Sequence, residues 1–158
     1  MDLVEFLTAR LDEDERVARD ARPAQEDPSS GTWIAYTHDP GPADPQEGPV
    51  ALVGAVPDDP SSTGGMDWAV CETGQGARAG AISAHIARHD PARVLAEVDA
   101  KCRTLARHAL SPAEGDPERP WDNVDDCQYD GDPWPCDDLR DLALPYADHP
   151  DYEEAWRP

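Results

Sequence analysis

The chain predicts an α+β protein with an N-terminal helix, a three-stranded antiparallel sheet and a broken helix packed on that sheet. An irregular acidic C-terminal tail is docked on the body. Three observations predict it. Apolar residues recur at helical spacing over residues 2–21 and again over 80–110. Between them lie three runs rich in β-branched and aromatic residues, each bounded by turn formers. With 39% apolar residues, 17 Pro and 11 Gly in 158 positions, a good part of the chain is loop, and one domain over 1–158 is the expectation.

The first helix, residues 2–21, carries Leu3, Val4, Leu7 and Leu11 on one face, with Val17 and Ala18 continuing the stripe; Pro23 ends it. Such a stripe must be covered, in the same chain or in a homodimer seam along helix 2–21. Residues 24–31 form a Pro/Ser/Gly/acid linker. The strands follow over 32–72: Thr32–His38, Val50–Val56 and Met66–Glu72, as a meander. Three strands need a cover to be stable, and the helices of 80–110 supply it. Ala81, Ile82, Ile86 and Ala87 mark a first short helix. Asp90-Pro91 restarts the pattern, Asp as N-cap and Pro at the first helical position. The second helix buries Val94, Leu95, Val98, Cys102 and Leu105. In the tail, 111–158, Asp137 or Asp138 caps a short helix through Leu144 that Pro145 stops, and Tyr146, Tyr152 and Trp156 serve as anchors.

Charge narrows the function. The net charge is −21. Direct binding to nucleic acid is disfavoured because phosphates would be repelled, and anionic membranes are disfavoured for the same reason. A basic protein partner fits better. The charge is also uneven: residues 80–110 carry a net +2 and residues 111–158 a net −12. An acidic tail lying over the basic helical pair would lower self-repulsion. There is no long apolar run to span a membrane, and Met1–Glu5 lacks the basic start of a signal peptide. A cytoplasmic location follows, with the four Cys as thiols or metal ligands.

The residues with the most chemistry are His108, Cys127 and Cys136, which are right in type for structural zinc. A fourth ligand is open between His149, His89 and Cys102. The competing account is two free thiols or a labile disulfide, with His108 set favourably at a helix C-terminus. A partial calcium-loop pattern runs from Asp126 to Asp137, but Pro133 and Pro135 would distort it. Catalytic signals are poor. No nucleophile elbow surrounds Ser83, no Glu lies between His85 and His89, and no Lys follows the glycines at 74 and 76, which read as turn residues. The Trp residues read as core and tail anchors.

The segment His85–Val98 (HIARHDPARVLAEV) and the end Leu142–Pro158 (LALPYADHPDYEEAWRP) resemble a family of uncharacterised actinobacterial and actinophage proteins, as does the opening Met1–Leu7 with Arg10–Asp14. The element order is also similar to small early proteins of temperate phages. The resemblance implies no assigned activity. It does imply a metal-binding C-terminus with a Cys-x-x-Cys ahead of a Pro-Cys pair; here Val124 stands three residues before Cys127, so that pattern is broken. Three functions remain in view. They are a small acidic, non-catalytic interaction or regulatory protein, a phage-derived DNA mimic that blocks a nucleic-acid-binding protein, and a zinc-dependent module built on the C-terminal His and Cys residues.

Overall fold

The computed structural model describes residues 1–22, 32–38, 49–55, 69–110 and 126–158. The fold is α+β. Its elements are α1 (Leu3–Asp20), β1 (Trp33–His38), β2 (Val50–Ala55), β3 (Ala69–Gln75), α2 (Gly76–Arg88), α3 (Pro91–Arg107) and α4 (Asp137–Ala143), with 3₁₀ turns at Leu144–Tyr146 and Glu154–Trp156. Contacts divide the chain into two compact units, one of residues 16–96 and one of residues 1–15 with 97–158. Among the described residues no helix is long and apolar enough to cross a membrane.

In the 16–96 unit the strands form an antiparallel meander in the order β1-β2-β3. Trp33 pairs with Ala55 and His38 with Val50. On the other side Val53 pairs with Cys71, with register irregularities after Ala51 and Val53. The central strand is buried throughout Ala51, Leu52 and Val53, which is why its sequence is a continuous apolar run rather than an alternating one. The residues expected to open the third strand, 66–68, lie outside the described residues, as do Trp68, Trp121 and the linker at 24–31.

Helix α2 starts at Gly76, directly after β3 and earlier than the apolar pattern indicates. Gly74 and Gly76 have φ of +99° and +83°, a region closed to most side chains, and this lets strand pass into helix with no loop. The helix packs on all three strands. It does so through Ala79 and Ser83 rather than through the expected Ala81 and Ile82; Ile82 is exposed. The reason is polar. Thr73 Oγ1 lies 2.9 Å from the Ala79 carbonyl oxygen and 2.6 Å from Ser83 Oγ, so Thr73 donates to the carbonyl and accepts from Ser83. Small side chains allow the close approach, and the paired hydroxyls tolerate burial. Asp90 caps α3 as expected: its Oδ1 accepts the Arg93 N–H at 2.8 Å, while Oδ2 accepts the Trp33 N–H at 3.3 Å.

In the other unit α1 begins with a reciprocal cap. Asp2 Oδ1 accepts the Glu5 N–H at 2.8 Å and Glu5 Oε2 accepts the Asp2 N–H at 3.0 Å. Leu3, Phe6 and Leu7 then join Cys127, Cys136, Leu139, Ala143 and Trp156 in one core cluster. Leu3, Leu7 and Leu11 of the helical stripe are therefore buried within the chain while Val17 is exposed, and Phe6, absent from the expected stripe, is the most buried of the face at 0% exposure. Tyr146, Tyr152 and Trp156 all meet the Phe6 ring, with centroids 6.3, 6.0 and 5.0 Å away. The aromatic anchors of the tail thus seat on α1, and Tyr146 also meets α3, with Lys101 Nζ 5.9 Å from its ring centroid. Burying each large side chain in such a cluster contributes about 1.5–3 kcal/mol.

Two details differ at α4. Cys136, not Asp137 or Asp138, occupies the N-cap, and its side chain makes no capping bond. Pro145 does not stop the chain turning, because a 3₁₀ turn takes it in its first positions, where a missing N–H costs nothing.

Candidate metal centre

Four side chains converge in the 97–158 part of the chain: His108, Cys127, Asp130 and Cys136, with ligand atoms all within 4.8 Å of one another. Local structure explains each position. His108 follows the last turn of α3, its N–H donated to the Thr104 carbonyl at 3.1 Å and its carbonyl accepting Trp134 Nε1–H at 3.3 Å. Cys127 and Asp130 share a tight loop. The Cys127 N–H donates to the Asp132 carbonyl at 2.8 Å and the Gly131 N–H to the Cys127 carbonyl at 2.9 Å. Gly131, at φ +78°, permits that closure. Cys136 is fixed by α4, whose Leu139 and Arg140 N–H groups donate to its carbonyl.

Three of the contacts converge on one ring nitrogen. His108 Nδ1 lies 3.3 Å from Cys136 Sγ, 3.6 Å from Cys127 Sγ and 3.1 Å from Asp130 Oδ2. The other nitrogen, Nε2, faces Asp138 Oδ2 at 3.3 Å. Asp130 Oδ1 is already committed, accepting the Asp132 N–H at 3.0 Å, so one carboxylate oxygen points inward. His108, Cys127 and Cys136 are each 2% exposed, whereas Asp130 reaches solvent.

Two chemistries use such parts. A thiol, an imidazole and a carboxylate in line could be a nucleophile, a base and the group that orients it. The thiol argues against this. Burial, partly offset by the Leu139 N–H, pushes Cys136 up to about 12, and the neighbouring Cys127 thiol and Asp130 add to the rise. An activated thiol requires the opposite shift. The second chemistry is metal binding, and here the geometry fits. A tetrahedral zinc with bonds of about 2.3 Å to sulfur and about 2.0 Å to nitrogen or oxygen sets N···S edges of about 3.5 Å and N···O edges of about 3.3 Å. The three separations to Nδ1 are of that size. Asp138 on the far nitrogen is the outer carboxylate that holds a ligating imidazole in the correct tautomer. The Asp130 carboxyl is held below its usual range, first by the Asp132 N–H and further by the two thiols and His108.

The structure thus brings together the three residues singled out by type, and none of the three proposed fourth ligands joins them. His149 stacks edge-on against Phe6 with its Nε2 on Arg10. His89 places Nδ1 2.8 Å from the His85 carbonyl oxygen. Cys102, expected in the core, is exposed; slight burial and the carboxylates of Glu15, Asp12 and Asp99 raise its pKa. The residues that sequence reasoning missed are Asp130 and Asp138. The signal for Asp130 was its place three residues after Cys127, where a zinc knuckle carries its second Cys. Nor do Asp126–Asp137 wrap a calcium site, since Cys127 and Asp130 turn inward to His108.

Fold and site define an α+β protein with a buried thiol–imidazole centre closed by a carboxylate. The chain belongs to a family of unknown function (DUF6221), which it matches over residues 1–158. No curated protein and no solved structure matches it.

Proposed function

We propose that this protein is a non-catalytic, zinc-stabilised module in which His108 Nδ1, Cys127 Sγ, Cys136 Sγ and Asp130 Oδ2 hold the ion. The observation that carries this reading is the approach of two sulfurs and a carboxylate oxygen to a single imidazole nitrogen, with the other nitrogen anchored by Asp138. Two thiols, an imidazole and a carboxylate at these separations are the donor set of a tetrahedral cation site. With four protein ligands the ion is structural, joining the end of α3 to the start of α4. Its binding energy is then part of the folding energy.

Metal analysis of the purified protein tests the reading. One equivalent of zinc per chain is expected, with a lower melting temperature in chelator. Less than half an equivalent, and a melting temperature indifferent to chelator, would overturn it. Because the Cys136 proton must leave a thiol held near 12, zinc affinity should fall steeply as pH is lowered.

The acidity supports a second part of the reading. A net charge of −21, with Asp137, Asp138, Asp141, Asp148, Asp151, Glu153 and Glu154 exposed on the C-terminal segment, favours docking on a basic protein partner. Such contacts weaken in salt, so partners captured equally well in dilute and concentrated salt would argue against it.

A further inference from the structure

We propose that Cys127 and Cys136 are a peroxide-sensitive pair, oxidised to a disulfide by a hydroperoxide with loss of the bound zinc. The inference rests on the zinc reading above and adds a modification site and a co-substrate class to it. Three features of the centre lead to it.

The two sulfurs are close enough to react with each other. Both approach the same Nδ1, at 3.6 and 3.3 Å, and lie within 4.8 Å of one another. Forming the bond requires them to close from within 4.8 Å to about 2.05 Å. Sulfur bound to zinc is thiolate, the nucleophilic form. Finally, the ligand that faces solvent is the carboxylate. Asp130 has a side chain 26% exposed against 2% for His108, and it sits on a turn held by its own loop. As an oxygen ligand beside two thiolates it is the group that yields first, and its departure uncovers the sulfurs from the solvent side.

The chemistry balances. One sulfur attacks the O–O bond of the hydroperoxide: an S–O bond forms, the O–O bond breaks, and the leaving alkoxide or hydroxide takes a proton. The second sulfur attacks the resulting sulfenic acid: the S–S bond forms, the S–O bond breaks, and hydroxide leaves as water. The sulfur pair loses two electrons and the peroxide gains them. Losing two of four ligands, zinc dissociates, and the tie between His108 and residues 127–136 is released.

The test uses zinc-loaded full-length protein carrying Cys71→Ser and Cys102→Ser, so that only the pair reports. Zinc content is measured before any oxidant is added. Hydrogen peroxide is then added with a colorimetric zinc chelator present, and free thiols and intact mass are followed. The expected result is release of one equivalent of zinc in step with loss of both thiols and two mass units, reversed by dithiothreitol and zinc. Retention of zinc and of both thiols would overturn this inference and leave the zinc reading standing; so would over-oxidation to sulfinate without a disulfide. Absence of zinc before peroxide would overturn both.

Discussion

The two compact units of this chain solve the problem of buried polar groups in different ways. In residues 16–96 the hydroxyls of Thr73 and Ser83 satisfy each other and a backbone carbonyl, and the buried Asp90 carboxylate accepts two backbone N–H groups. In residues 1–15 and 97–158 two thiols and an imidazole are buried beside a carboxylate, the donor set of a metal site. The first arrangement is complete as a hydrogen-bonded network. On the proposed reading the second is completed by a cation. The comparison teaches that the two units should differ in what they need from solution.

The largest expected effect separates them directly. Zinc removal, or His108→Ala, should abolish hydrogen-exchange protection over 127–140 while 50–55 and 71–75 keep theirs. Structural zinc in small modules contributes on the order of 10 kcal/mol at pH 7, enough to decide whether that unit folds. Equal loss of protection in both regions would break the distinction drawn here. Next come the apolar substitutions. Phe6→Ala should cost about 3–5 kcal/mol and Leu139→Ala about 2–5 kcal/mol, measured by denaturant unfolding of zinc-loaded protein, since both side chains are wholly buried.

Ser83→Ala sharpens the comparison from the other side. It removes one partner of a buried hydroxyl pair, so about 1–3 kcal/mol should be lost. Zinc content should not change. The smallest effect is at Tyr146, whose hydroxyl donates to Asp14 Oδ2 at 2.6 Å. Tyr146→Phe should cost about 1 kcal/mol near neutral pH. Burial first, then Asp14, raises the pKa of this phenol in the fold. Its stabilising contribution is therefore complete below the unfolded value of about 10 and fades as pH rises above it. The wild-type protein should lose its stability advantage over the Phe variant in that alkaline range. An advantage that grows with pH would contradict the assignment.

Much of this was legible in the residues. Periodicity located α1, α2 and α3, and Asp90-Pro91 marked the α2–α3 break because its cap depends on local chemistry alone. The exposed face of α2 was not legible, since Ser83 is drawn inward by Thr73, a partner in another element. Phe6 was missed for a similar reason: its burial depends on Tyr146, Tyr152 and Trp156, more than a hundred residues away. At the site, residue type pointed to His108, Cys127 and Cys136. Asp130 was hidden among 34 carboxylates, where only the closure of the 127–132 loop distinguishes it.

X-ray absorption at the zinc edge of the purified protein tests the central claim most directly. The account predicts a four-coordinate shell of two sulfurs at about 2.3 Å and two lighter ligands at about 2.0 Å, one carrying the multiple-scattering signature of imidazole. A bound zinc seeing only nitrogen and oxygen, or a protein with no stoichiometric zinc to measure, would contradict it.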